Sequence, residues 1–149
     1  RFGENNRYAN FGSIGASWIV SDEAFMESLK DRIFNELKFK VSYGSSGNQA
    51  GIRTFQAREL YVRGVYNGVS GLIQNQLPNP DLRWEKKTTF NTGIEFATLN
   101  GRLNGTVEYY NAITSDLFLE RPLSLTTGFP EITSNIGELR NSGVEVSLD

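Results

Sequence analysis

Phe90-Asn91-Thr92-Gly93-Ile94-Glu95-Phe96-Ala97, the turn Leu99-Asn100-Gly101-Arg102 and the return Leu103-Asn104-Gly105-Thr106-Val107-Glu108-Tyr109-Tyr110 decide the fold class. Phe90, Thr92, Ile94 and Phe96 alternate with Asn91, Gly93, Glu95 and Ala97. Leu103, Gly105, Val107 and Tyr109 alternate in the same way with Asn104, Thr106, Glu108 and Tyr110. Successive side chains of an extended chain point to opposite faces, so a period of two predicts two strands, each with one apolar face. Asn-Gly between them readily takes the positive φ angles of a type I′ turn, which closes an antiparallel hairpin.

Working outward, the same alternation appears over 37–43, where Leu37, Phe39, Val41 and Tyr43 interleave with Lys38, Lys40 and Ser42. It is weaker over 13–20, where the second face is mostly small residues, and clear again from about Ile136 to Asp149, with Val144, Val146 and Leu148 on one face. About five strands are predicted. Their connections alternate in length. Between the first two, Ser21 and Asp22 can cap a short helix in which Phe25, Leu29 and Ile33 recur every fourth residue. The segment 44–86 dissolves into Gly, Ser, Asn and Gln and reads as a long loop with local strand pairing. After the tight Asn100-Gly101 turn, a second longer loop is expected over 124–135. The last strand breaks off in mid-alternation, so the chain is expected to be a piece of something longer.

Composition narrows the function classes. Fifteen Lys plus Arg against 17 Asp plus Glu give a formal charge of -2, with the signs interspersed, so no basic field favours nucleic acid. The chain has neither His nor Cys, which removes Ser-His-Asp and Cys-His nucleophiles, thiolate and imidazole metal sites and disulfides. Asp22, Glu23, Asp81 and Asp116 lack the close spacing of a Ca²⁺ loop. No catalytic, cofactor-binding or metal-ligating residue is expected, and the protein is not read as an enzyme.

No apolar run is long enough for a membrane helix, which needs about 20 residues. A transmembrane β-barrel needs only segments of about ten residues alternating between lipid and a wet lumen, so low mean hydropathy leaves it open. One internal echo bears on this. Asn91-Thr92-Gly93-Ile94-Glu95-Phe96 and Asn141-Ser142-Gly143-Val144-Glu145-Val146 share a pattern in which Asn, Gly and Glu fall on one face. Two readings stand: Asn91, Glu95, Glu108 and Glu145 face a water-filled lumen, or they face bulk solvent over an ordinary soluble core.

Several segments carry a family resemblance. Arg1-Phe2-Gly3-Glu4-Asn5-Asn6-Arg7-Tyr8, Glu23-Ala24-Phe25-Met26, Tyr43-Gly44-Ser45-Ser46-Gly47-Asn48-Gln49, Asn79-Pro80-Asp81-Leu82-Arg83-Trp84-Glu85, Glu108-Tyr109-Tyr110-Asn111 and Asn135-Ile136-Gly137-Glu138-Leu139-Arg140-Asn141-Ser142-Gly143 follow one another along nearly the whole chain. In that order they resemble the SusC-like, TonB-dependent outer-membrane receptors. The resemblance implies an all-β fold: antiparallel meander strands of a 22-stranded transmembrane barrel, with one short periplasmic helix and long extracellular loops. Residues 1–149 would form part of the barrel domain, without the plug or the TonB box. It further implies an outer-membrane importer of a Gram-negative bacterium, taking up glycans or peptides with a SusD-like lipoprotein, driven through TonB and seated in outer-membrane lipid. The competing class is a soluble all-β ligand-binding or adhesion module.

Under the barrel reading Trp18 falls in a periplasmic aromatic girdle, and under the other it packs a soluble core. Tyr61, Tyr66 and Trp84 lie in the long loop. Their rings suit stacking on sugars, or else pack the loop and touch a lid protein. Glu95, Glu108 and Glu145 are read as wall residues rather than as the carboxylate pair of a glycosidase.

Overall fold

The computed structural model describes residues 1–28 and 33–149. Its nine strands are β1 (Ser13–Ile19), β2 (Phe34–Asn48), β3 (Leu60–Tyr66), β4 (Val69–Gln76), β5 (Glu85–Thr98), β6 (Leu103–Ser115), β7 (Phe118–Pro122), β8 (Glu131–Asn135) and β9 (Glu138–Leu148). The chain forms two compact units, one of Arg1–Asn10, Gly47–Lys87 and Thr114–Leu139, the other of Phe11–Ser46, Thr88–Ile113 and Arg140–Asp149.

The second unit holds an antiparallel five-stranded sheet in the order β1-β2-β5-β6-β9, open at both edges. β1 pairs with β2 without a slip, from Ser13 opposite Gly44 to Ile19 opposite Lys38. The β5–β6 turn has Leu99, Asn100 and Gly101 at φ 55°, 58° and 75°, and the Arg102 amide donates to the Leu99 carbonyl. Reciprocal bonds between the backbones of Asn104 and Asp149, both 2.9 Å, fix β9 against β6. Because neighbouring strands alternate direction, the connections 20–33 and 99–102 leave one end of the sheet, and 49–84 and 116–137 leave the other.

The strands run longer than the alternation alone indicates. β2 continues through Gly44 to Asn48, and β5 starts at Glu85. The helix expected after Ser21 is not present among the described residues. The segment instead makes two separate single 3₁₀ turns, Val20–Asp22 and Ala24–Met26. Glu23 stands between them in an extended conformation (φ -81°, ψ 144°), and neither turn has a side-chain cap. Its carboxylate accepts from Trp18 Nε1 at 2.8 Å, an interaction with the preceding strand. Phe25 lies in the second turn, Ile33 in the turn before β2, and Leu29 falls outside the described residues.

In the first unit, the expected loop 44–86 contains the β3–β4 hairpin, closed by Asn67 (φ 48°) and Gly68 (φ 81°). The second expected loop, 124–135, is a loop only as far as Pro130, with a 3₁₀ turn at Leu125–Thr127. Glu131–Asn135 is strand β8, paired antiparallel with β7. A small core of Ile52, Ala57 and fully buried Leu82, flanked by Phe2 and Phe118, holds this unit.

Candidate functional site

The five-stranded sheet has two chemically distinct faces. On one, Trp18, Leu37, Phe39 and Ile94 surround an apolar depression of about 340 Å³ together with Val20. Val144, Val146 and Leu148 continue that face on β9, each more than 60% exposed. A soluble core would bury them. Trp18 lies on this face close to the end of β1, its ring 6.3 Å from that of Phe25 and its indole N–H tied to Glu23. An apolar body with a polar tip is what an interfacial aromatic requires.

The opposite face carries the charges. Lys40 Nζ lies 2.7 Å from Glu95 Oε1 and also pairs with Glu108, while Lys38 reaches Glu95 at 3.2 Å. One ammonium thus joins carboxylates from two other strands, and it does so across Gly93. A Cβ on Gly93 would come 2.9 Å from Glu108 Cγ. Asn91 reaches Ser42 on β2 at 3.5 Å. A Cβ on Gly143 would lie 2.8 Å from the Tyr110 hydroxyl, so a β6 side chain lies over the glycine in both copies of the sequence echo. The register fixed at Asn104–Asp149 and at Tyr110–Gly143 also sets Glu145 beside Glu108 on this face. The arrangement brings Glu95 and Glu108 together through lysine.

The three loop aromatics do not share a setting. Tyr61 and Tyr66 are exposed on the β3–β4 hairpin, the Tyr61 hydroxyl donating to Glu59 at 2.5 Å, whereas Trp84 stacks on Phe2 with ring centroids 4.5 Å apart and donates to the Arg7 carbonyl. One face of the Trp84 ring is therefore engaged within the chain.

Sequence reasoning missed a polar clamp in the first unit. Asn135 Nδ2 donates to the carbonyls of Arg83 and Asp116, and its Oδ1 accepts from the Arg83 amide, all at 2.8 Å. Arg83 pairs with Asp116 at 2.6 Å, and that carboxylate raises the pKa of the guanidinium still further. Buried Glu85 accepts from Asn48 Nδ2 (2.6 Å) and the Phe118 amide (2.9 Å), and Asn79 Nδ2 donates to the Thr133 carbonyl (2.7 Å). Asn48, Asn79, Arg83, Glu85 and Asn135 all stand in the segments quoted for the family resemblance, the one signal by which the sequence pointed to them. Their partners show those segments to be structural fasteners that join two distant loops.

Comparison with known proteins agrees with this architecture. Residues 1–149 match the family described as TonB dependent receptor-like, beta-barrel. TonB-dependent receptor P39 of Formosa agariphila is 42% identical over 149 residues, 99% of this chain and 14% of that protein. TonB-dependent receptor SusC of Bacteroides thetaiotaomicron is 32% identical over 157 residues, covering all of this chain and 16% of its own length. Among solved structures, the RagAB peptide importer in its open-open state matches with a TM-score of 0.86 at 32% identity, over 99% of this chain and 16% of that one. In the closed-closed state the TM-score is 0.85. The chain thus spans 14–16% of the length of these relatives. The charged and apolar sheet faces, the matched strands and the shared segments lead to one conclusion: the chain belongs to the TonB-dependent receptor family of Gram-negative outer-membrane proteins, as a stretch of its β-barrel.

Proposed function

We propose that this stretch forms wall strands and external loops of a TonB-dependent importer. The apolar face meets lipid and the Lys38, Lys40, Glu95, Glu108, Glu145 face lines the aqueous lumen. Connections 20–33 and 99–102 are the periplasmic turns, and 49–84 and 116–137 are the extracellular loops. Trp18 stands in the periplasmic girdle. The nutrient is an oligosaccharide or a peptide, delivered with a SusD-like lipoprotein and moved by energy received through TonB, which acts on parts of the protein outside these residues. The segregation of charge and apolar surface on an uncovered sheet carries the reading, because lipid on one side and water on the other satisfy both faces. A soluble module would leave the apolar face bare in water.

Single cysteines in an otherwise cysteine-free full-length receptor test it in outer-membrane vesicles. Glu145→Cys should react with a membrane-impermeant maleimide, and Val144→Cys and Val146→Cys should be protected. Equal labelling at all three positions would remove the lumen and lipid assignment. Uptake of the nutrient by cells should also vanish on deletion of the receptor gene or on dissipating the proton gradient.

A further inference from the structure

Asn-Gly stands at 67–68, 100–101 and 104–105, and the fold holds the three pairs differently. Asn104 is locked within β6: its amide and carbonyl exchange bonds with Asp149, and its Nδ2 donates to the Gly101 carbonyl. Gly101 is tied by its amide, which donates to Asn35 Oδ1 at 3.1 Å, and its turn joins two strands inside the five-stranded sheet. Asn67 and Gly68, at φ 48° and 81°, are exposed at the tip of a hairpin that is a sheet of two strands only. Gly64 faces Gly71 across that hairpin, its register shifts at Leu60 and Tyr61, and Tyr66 and Val69 beside the turn are exposed. Among the described residues, no hydrogen bond from the Gly68 amide is present. Two-stranded hairpins are marginal in water and glycine weakens them further, so this pair opens most readily of the three.

We infer that Asn67 is a site of spontaneous modification, its side-chain amide converting to a carboxylate with water as the only co-reactant. In the opened tip, the Gly68 backbone nitrogen gives its proton to solvent and attacks Asn67 Cγ. A nitrogen–carbon bond forms, the Cγ–Nδ2 bond breaks and ammonia leaves, closing a succinimide ring. Water then adds to one of the ring carbonyls and reopens it, to aspartate or to isoaspartate, in which the main chain runs through Cγ. Net, a side-chain amide and a water give a carboxylate and an ammonium ion. Glycine favours the attack because it has no side chain to crowd the nitrogen, and a Cβ built on Gly68 would meet nothing within 4 Å. Ring closure needs free backbone rotation, so the reaction draws on the open hairpin and is slow wherever the pair is held. Both products add a negative charge to an uncharged tip. Isoaspartate also lengthens the main chain next to the pairing of Tyr66 with Val69, which unseats the register there.

Peptide mass spectrometry tests it on the purified full-length receptor in detergent, held at mildly alkaline pH in heavy-oxygen water, which marks each converted asparagine. Asn67 should take up the label at least about tenfold faster than Asn100 or Asn104, because conversion follows the population of the opened pair. In guanidinium chloride, where all three pairs are unconstrained, the rates should converge. Equal rates in the folded receptor, or faster labelling at Asn100 or Asn104, would overturn the inference. So would the same spread of rates in denaturant, which would trace the difference to neighbouring residues and not to the fold.

Discussion

Gly3 has no room for a side chain, since a Cβ there would lie 1.6 Å from the Pro80 carbonyl oxygen, and its own amide donates to the Leu82 carbonyl at 2.8 Å. The obstacle is backbone and cannot rotate aside, so Gly3→Ala must displace one of the two segments. Overpacking of this kind costs about 1–3 kcal/mol. In hydrogen exchange on the full receptor, the amide of residue 3 should exchange about tenfold faster or more in the variant, since about 1.4 kcal/mol is a factor of ten. Tyr61 makes a pH-dependent contribution. Its hydrogen bond to Glu59, the largest cause, raises the phenol pKa above its ordinary value. Only the neutral phenol can donate, so the bond contributes below the unperturbed pKa of about 10 and is lost as pH rises through the raised folded value. The phenolate absorbance that distinguishes the wild type from Tyr61→Phe should therefore appear above about pH 10, and its appearance below that would contradict the bond.

At the scale of elements, Asn135 at the end of β8 is the fastener whose loss reaches furthest. One side chain serves three backbone groups of Arg83 and Asp116, and leaving the part-buried Asp116 carbonyl unpaired costs about 1–3 kcal/mol. Asn135→Ala should speed exchange of the Arg83 amide at least tenfold while leaving the β5–β6 amides unchanged. Equal protection of the Arg83 amide in the wild type and in Asn135→Ala would deny the clamp its role. The elements differ in how legible they were. β2, β5, β6 and β9 have one apolar and one polar face, and that asymmetry is what a period of two records. β3 (Leu60–Tyr66) has Tyr61, Val62, Val65 and Tyr66 exposed on both faces, so its sequence does not alternate. Its turn, Asn67-Gly68, carried the same signal as Asn100-Gly101, but without flanking alternation to frame it. β7 and β8 are too short for a period to declare itself. The helical spacing of Phe25, Leu29 and Ile33 misled because Glu23 is engaged by Trp18 and interrupts the turns at an extended residue. The clamp was legible only as family-like segments, since its pairings join residues from about twenty to more than fifty positions apart, which no local pattern records.

For the whole molecule, the decisive property is which solvent each sheet face meets. A charge on the lipid face of a barrel costs about 2–4 kcal/mol at the bilayer midplane and little near its surfaces, while the lumen face accepts it. Val146→Arg in the full receptor should accordingly lower the yield of heat-modifiable, folded barrel, and Ser147→Arg, one residue along and on the other face, should not. Equal yields would argue against lipid on the Val146 side. The clamp and the sheet answer to different demands, one to holding loops in water and the other to a membrane, and the sequence reading reached the second more readily because a boundary between solvents imposes a period on a strand.

The two covered glycines have a further effect. Glu108 leans over Gly93 and the Tyr110 ring over Gly143, each within 3.0 Å of where a Cβ would stand. A larger residue at either place would force the covering side chain to move. On the lumen reading, the missing methyl groups leave room for the side chains of β6 to settle over the backbone, so part of the clearance for a travelling solute is written in glycines of the wall.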